Sequence, residues 1–482
     1  MSQLPFLMVT IVAATLCLVA RRRPQLEVPV GLGGLAVATV AALVIAPGDV
    51  LRLGSGEVLL ATAYGRLFLL LGAGLGLVLG VVALMTSWQP NLPAAMLVGL
   101  AGMGLGLSLT DPLIALLVLL GSAVAVALVS LDASVSAAGV RVVVRQVRTI
   151  ALAGVLAYVA VAWAAPALSG IGSDPAAFGL ADLAIVLAVA LRFGAVPFHR
   201  PVARLTDTAP GLAIPLVLVW GPAALAVVVL GATDGSAMTF LVPSGIGQAV
   251  IVAVAGASLV LGAVGAWLQD DLEHVLGYSI IQDAGFVLLG LAIGGPDGHE
   301  PARVWLLIML TTKTAFAAWV TVVEARFRTG RLPELHGWAR RSPLLAIALV
   351  GIVVATIGAP GLLAWSVRAS LVQGAAGGPL QAILLLAGLA SFVYYARIGL
   401  VGLGRPSLLV AAAPTDRPVA AARTGTAIEA VQAGWRTNRA PIAAGFVLVL
   451  VLVSLVVATG GLGGPDAARA AAPEPSLPAL GQ

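Results

Sequence analysis

Fourteen apolar stretches, at roughly 4–20, 28–46, 63–85, 92–109, 112–131, 149–168, 179–198, 209–230, 246–267, 275–294, 304–323, 343–375, 380–403 and 441–460, take up most of this 482-residue chain. Each is long enough to cross about 30 Å of hydrocarbon as a helix. The repetition points to one fold class, an all-α polytopic membrane protein with about fourteen transmembrane helices. Composition agrees: 60% of residues are hydrophobic and 10% charged, outside the range of soluble globular domains. A soluble enzyme is excluded.

An even number of crossings puts both termini on one side, and loop charge says which. Eighteen arginines follow odd-numbered segments: Arg21, Arg22 and Arg23; Arg141, Arg145 and Arg148; Arg200 and Arg204; Arg326, Arg328, Arg331, Arg340 and Arg341; Arg405, Arg417, Arg423, Arg436 and Arg439. The opposite loops carry four, Arg52, Arg66, Arg303 and Arg469. Basic residues mark the cytoplasmic side, so both termini are expected outside the cytoplasm, in a cell (plasma or inner) membrane. The first segment reads as a retained helix, because its positive cluster follows the apolar stretch, the reverse of a secretory signal. Residues 1–91 hold the first three helices, 404–440 the longest cytoplasmic loop, with TAIEAVQAGW suited to a short interfacial helix, and 441–460 the last crossing. The Ala/Pro/Gly-rich tail, 461–482, is expected to be disordered.

Several chemistries drop out. The net charge of +5 does not indicate nucleic acid, since the arginines are scattered among loops. Cys17, the single cysteine, rules out an internal disulfide and any thiolate metal cluster. The histidines (His199, His274, His299, His336) are far apart in sequence, and no H-E-x-x-H pattern occurs. Neither a metal site nor a cofactor site is expected. Gly72, Gly74, Gly76 and Gly80, and Gly102, Gly104 and Gly106, superficially suggest a dinucleotide loop, but they lie inside apolar helices with no preceding strand. Small residues at i, i+4 there serve close helix packing.

The polar residues left at bilayer depth are few. Lys313 is the only lysine, about nine residues from either end of its segment, in VWLLIMLTTKTAFAAWVTVV. A lysine there costs on the order of 2.5–3.5 kcal/mol on insertion scales, and unlike arginine it can lose its proton when desolvated. It reads as a proton or ion relay; a lysine bonded to Thr311, Thr312 and Thr314 is the structural alternative. Asp283, in LGYSIIQDAGFVLLGL, lies at a similar depth on the neighbouring segment, so a buried Asp–Lys pair is expected, either static or titrating. Arg192, before Pro197, and Arg368, after Gly358, Pro360 and Gly361, each sit beside a helix interruption. Broken helices at matching positions in two halves point to an ion pathway; an arginine bonded to carbonyls freed by the break is the other reading.

WLQDDLEHVLGYSIIQDAGFVLLGLAIG resembles the signature of the antiporter-like subunits of respiratory complex I and of Mrp cation/proton antiporters, through Gln269, Asp271, Leu276, Tyr278, Ser279, Ile281, Gly285 and Phe286. Pro197, Phe198, His199 and Pro210 match a second family stretch, and Leu335, Gly337, Pro343, Gly358 and Pro360 a third. The similarity spans roughly residues 90–400, and the pattern around Tyr394–Arg397 is nearest the N-type subunit. The resemblance implies two inverted five-helix repeats, 92–230 and 246–403, each with a broken helix. It also implies proton translocation along buried lysines, a glutamate and histidines, driven by partner membrane subunits, with no redox centre in this chain. By position, Arg192 and Arg368 stand at the two broken-helix lysines, Lys313 at or within one turn of the polar site of helix eleven, Asp283 at that of helix ten, and His199 on the pathway.

The departures are concentrated in the first repeat. Leu120 stands where a glutamate is expected, Pro222 near a lysine position, and Glu273 and His274 in place of a basic pair. Arginine does not release a proton. Three functions follow: a proton-translocating subunit of a complex I-type or membrane-hydrogenase-type redox pump; a subunit of an Mrp-type cation/proton antiporter or related uptake system, moving protons or sodium; and a non-conducting structural paralogue.

Overall fold

A computed structural model of the chain describes residues 2–21, 23–54, 56–86, 89, 91–130, 137–167, 175–234, 245–408, 410 and 427–471. Among these, ten helices are long and apolar enough to cross a membrane, and three shorter apolar helices accompany them.

Proline in the first turn, where its missing N–H goes unneeded, opens α1 (Leu4–Ala20), α2 (Pro24–Val44) and α4 (Leu92–Gly106). Between them, α3 (Ala63–Met85) is capped by Thr62, whose hydroxyl accepts the Gly65 N–H at 2.9 Å. A short antiparallel hairpin, β1 (Val50–Leu53) with β2 (Gly56–Leu60), joins α2 to α3 and is the one addition to an otherwise helical fold among the described residues. The α3 glycines act as packing sites: a Cβ on Gly72 would lie 3.0 Å from Leu100, and one on Gly80 would lie 2.7 Å from Leu32.

The first half continues with α5 (Pro112–Ser130), α6 (Ala137–Ala167), α7 (Pro175–Phe193), the short α8 (Arg200–Thr206) and α9 (Gly221–Asp234). The second contains α10 (Ile246–Leu268), α11 (Leu272–Ile293), α12 (Gly295–Phe327), α13 (Trp338–Arg341), α14 (Pro343–Ile357), α15 (Leu363–Ala375), α16 (Gly378–Leu389) and α17 (Ser391–Leu403). Each half has its broken helix, α7 into α8 and α14 into α15. Both first pieces run into a left-handed glycine, Gly194 (φ +66°) and Gly358 (φ +74°), a conformation open to a residue without a Cβ.

Four boundaries differ from expectation. Helix α6 starts at Ala137, not near 149, so Arg141, Arg145 and Arg148 ride on it. The stretch 209–230 does not begin as α-helix: Pro210, Pro215 and Pro222 remove donors, and a 3-10 turn (Gly211–Ala213) and a π-turn (Leu216–Trp220) precede α9. The crossing 380–403 is two helices meeting at Ala390. The last helix, α18 (Ala427–Ala458), runs through what was read as loop to 440, and the chain then folds again as α19 (Gly464–Ala470), against the disorder expected from 461. Ala467 and Ala468 are buried there, and Arg469 pairs with Glu300 at 2.8 Å. Small side chains let this short helix dock on α3 and α12. Residues 411–426 and 472–482 lie outside the described set.

Helix α12 is the axis of the bundle. Its whole apolar window is buried, and α3, α9, α11, α14, α15, α18 and α19 pack around it. Against it, α10 and α11 approach closely: a Cβ on Gly262 would sit 2.5 Å from the Gln282 amide nitrogen, and one on Gly285 2.8 Å from the Ala255 carbonyl.

Candidate functional site

Lys313 lies at mid-height of α12 with none of its side chain exposed. Its Nζ is 2.7 Å from Asp283 Oδ2, an aspartate on α11 that is itself 1% exposed. The ammonium also donates to Ser279 Oγ at 3.1 Å, and that hydroxyl donates to the Leu276 carbonyl at 2.7 Å. Ser279 and Asp283, four residues apart, share one face of α11, so one helix presents both partners. Thr311, Thr312 and Thr314 each bond a backbone carbonyl one turn back instead of the lysine.

Arg368, on α15, lies next to this pair. Its guanidinium donates to the Ile357 carbonyl at 2.9 Å, to that of Thr356 at 3.4 Å, and to that of Gly388. The first two are carbonyls freed where α14 breaks. Gly388 lies where α16 ends, and its carbonyl also accepts from Ser391 at 3.0 Å. The charge stands 4.6 Å above the Phe286 ring and 5.6 Å from that of Trp305. Trp305 donates to the backbone carbonyl of Asp283 at 3.0 Å. Gln282 donates to the Ala387 carbonyl at 3.0 Å and accepts from Tyr394 at 3.1 Å. The α16–α17 break is therefore stitched to α11 and α15 by side chains.

Arg192 belongs to a different environment. It ends α7, is 5% exposed, and donates to the Val217 carbonyl at 3.0 Å, within the π-turn that α9 grows from. Gly221 makes room for it, since a Cβ there would lie 2.7 Å from Nη2. The cavity beside Arg192 is about 20 Å³ and is lined by Leu119, Ser122 and Trp220, with no acidic residue. Leu120 faces the other way and packs on Gly154 of α6, so the α5 positions facing Arg192 are Leu119 and Ser122. Among the described residues two side-chain hydrogen bonds join the halves at this depth, Trp220 Nε1 to Thr314 Oγ1 at 3.0 Å and the Val196 N–H to Ser258 Oγ at 3.0 Å.

Of the residues singled out from sequence, then, Lys313 and Asp283 come together, with Arg368 alongside. His199 is not among the groups that touch them. It lies half-buried just ahead of α8, lining a separate cavity of about 620 Å³. Of the family-motif residues, Ser279 contacts the lysine directly. Tyr278 packs on Gly265, Gly285 serves the α10–α11 contact, Pro210 precedes the 3-10 turn, and Pro197 and Pro360 lie in the two breaks. Sequence reasoning missed Ser279 as a lysine partner, the Gln282–Tyr394–Trp305 network, and the approach of Asp271, Glu273 and Glu324, whose carboxylate oxygens lie within 4.8 Å of one another. The i, i+4 spacing of Ser279 and Asp283 was the available signal for the first.

A family model described as NADH:quinone oxidoreductase/Mrp antiporter, transmembrane, matches residues 165–393. The chain is 28% identical over 218 residues to NADH-quinone oxidoreductase subunit N of Hydrogenovibrio crunogenus, covering 44% of this chain and 45% of the relative. It is 28% identical over 233 residues to NAD(P)H-quinone oxidoreductase subunit 2 of Microcystis aeruginosa, covering 47% and 44%. These matches thus span somewhat under half the length of the curated relatives. Among solved structures, a chain of the Mrp complex from Dietzia sp. superposes with a TM-score of 0.73 at 20% identity, over 98% of this chain and 96% of that one. A chain of respiratory complex I from Thermus thermophilus with bound NADH gives 0.72 at 19% identity, over 98% and 99%. At that identity the likeness establishes the fold.

Proposed function

We propose that this chain, which matches the NADH:quinone oxidoreductase/Mrp antiporter family over residues 165–393 and is similar to N-type subunits over somewhat under half its length, is a proton-translocating antiporter-like subunit of a complex I-type redox pump. In this reading it sits in a plasma or inner membrane with both termini on the non-cytoplasmic side, beside other membrane subunits of a multi-subunit complex whose iron–sulphur and flavin subunits supply the redox chemistry. The single observation that carries the proposal is the Lys313–Asp283 pair, with Ser279 as its third member, buried at mid-height of the most enclosed helix.

The chemistry follows from burial. An ammonium without water needs a counter-ion, and Asp283 supplies it. Drawing the two apart leaves each charge uncompensated in a low-dielectric setting, which favours proton release from Lys313; restoring the contact favours recapture. Ser279 offers the amine a neutral partner in either state. Arg192 and Arg368 take no part in proton exchange, because guanidinium stays protonated. Arg368 holds carbonyls that the α14 break sets free, and Arg192 holds a carbonyl of the π-turn ahead of α9.

The test is a Lys313→Met variant in the assembled complex, with electron transfer and proton uptake by reconstituted vesicles measured separately. Loss of proton uptake with assembly intact is expected; wild-type pumping would overturn the relay. The lining of the cavity at Arg192 favours a second reading, a subunit that has lost conduction and serves the membrane arm as structure, because Leu119, Ser122 and Arg192 leave no releasable proton beside that break. In that case Lys313→Met leaves pumping untouched. If the purified chain brings small membrane subunits and no iron–sulphur or flavin proteins, an Mrp-type antiporter, with protons or sodium as the ion, replaces the redox pump.

A further inference from the structure

We propose that the 620 Å³ cavity between α6, α8 and α11 is a headgroup site for an anionic phospholipid. It is separate from the Lys313 centre and does not depend on which assembly the chain joins.

Three arginines converge on this cavity, Arg145 from α6 and Arg200 and Arg204 from α8. One acid faces them, Asp207, and it is already engaged: His274 Nε2 lies 2.8 Å from its Oδ1, and Arg204 lies 3.8 Å from its Oδ2. Arg145 and Arg200 have no ion pair among the described residues. Among the described residues the cavity therefore holds two guanidinium groups without an acidic partner, each able to grip a phosphate with paired N–H donors.

The surroundings indicate a lipid as the source of that phosphate. Arg145 rides on a helix whose Gly139–Trp163 stretch is apolar enough to cross a membrane. Next to it Val144 is 61% exposed, and Val140, one turn earlier, is 43% exposed. On the other wall, Tyr278 lies two turns inside α11, so the floor of the cavity reaches below the helix ends. Cations at the rim with bare aliphatic side chains alongside match a phosphate at headgroup level and an acyl chain laid against α6. Basic pockets between membrane helices bind anionic headgroups in this way.

The experiment uses the full-length chain with its co-purifying partners, in mild detergent, and compares dye-labelled phosphatidylglycerol, phosphatidylcholine and inorganic phosphate. Phosphatidylglycerol is expected to bind saturably and to weaken with salt, as a screened contact does. The Arg145→Gln/Arg200→Gln variant should bind it about thirtyfold more weakly, from about fivefold per basic residue at an anionic surface. Asp207→Asn should bind it more tightly, a gain that a misfolded variant does not give. Phosphatidylcholine should be indifferent to all three changes. Unchanged phosphatidylglycerol affinity in the double arginine variant overturns the site. Inorganic phosphate displacing the lipid at equal concentration overturns its assignment to a lipid and makes it a free-anion site. Weaker lipid binding in Asp207→Asn shows that Asp207 shapes the pocket, and it overturns the charge argument.

Discussion

Replacing Lys313 by methionine keeps most of the side-chain volume in α12 and removes the charge, which strands Asp283. That carboxylate is 1% exposed and its counter-charge is 2.7 Å away. Breaking one partner out of a buried pair costs about 3–5 kcal/mol, because the remaining charge is left uncompensated, whereas removing both charges is often close to neutral. The double variant Lys313→Met/Asp283→Asn should thus recover most of the stability lost by Lys313→Met, a coupling of about 2–3 kcal/mol between adjacent sites. Transport separates the two possible roles of the pair. If the pair is a relay, the double variant is stable and does not move protons; if it is glue, the double variant is stable and moves them. Thermal unfolding in detergent reads the first quantity, and dye-reported proton uptake by reconstituted vesicles the second. Wild-type proton uptake by the double variant would refute the relay, and equal stability of Lys313→Met and wild type would refute the claim that Asp283 depends on the lysine.

Arg368→Lys keeps the charge but cannot span the Ile357 and Gly388 carbonyls with one ammonium; a hydrogen bond to a charged group is worth about 1.5–3 kcal/mol, so a loss of about that size is expected in chemical or thermal unfolding, and an unchanged midpoint would contradict the capping role. Trp220→Phe keeps an aromatic ring but deletes the bond to Thr314 and leaves a small void at a buried site, for a loss of about 1 kcal/mol from the hydrogen bond plus a cavity cost, with proton uptake per electron unaltered; a drop in that ratio would make the inter-half bond part of the pathway. Gly262→Leu places side-chain atoms where the Gln282 backbone already lies, and overpacking of this kind costs about 1–3 kcal/mol or more. Reduced yield of assembled protein is expected, and normal yield would show that α10 and α11 can move apart.

Much of the fold was legible because membrane solvation makes hydropathy almost a direct readout of helix position, and the loop arginines fall in step with it. What was not legible depends on local backbone chemistry. Three prolines at 210, 215 and 222 turn the start of one crossing into 3-10 and π-turns, and no hydropathy profile reports that. The break at Ala390 has neither proline nor positive φ; it persists because Gln282, Arg368 and Ser391 satisfy the carbonyls it frees, and those partners come from three places in the chain. Lys313 and Asp283 could be paired from depth alone. Arg192 and Arg368 looked equivalent in sequence, each a cation near an interruption. In space the first holds a π-turn carbonyl of its own half, and the second reaches back eleven residues to the end of the preceding helix.

That difference bears on how conduction is divided between the halves. A guanidinium offers five fixed donors and keeps its proton, so an arginine at a helix break stabilises the break and removes a relay site in one substitution. At Arg368 the second half can bear this, because Lys313, Asp283 and Ser279 remain beside it as a set with a removable proton. At Arg192 the first half cannot: its neighbours are Leu119, Ser122 and Trp220, around a space with room for about one water. In the proposed reading a pathway crosses at the level of Lys313, and the Trp220–Thr314 bond, one residue from that lysine on α12, is a polar link from the first half at that level. The first half keeps a buried carboxyl, Asp182 on α7, but the residues around Arg192 do not include it, and the compact set of amine, acid and hydroxyl lies in the second half.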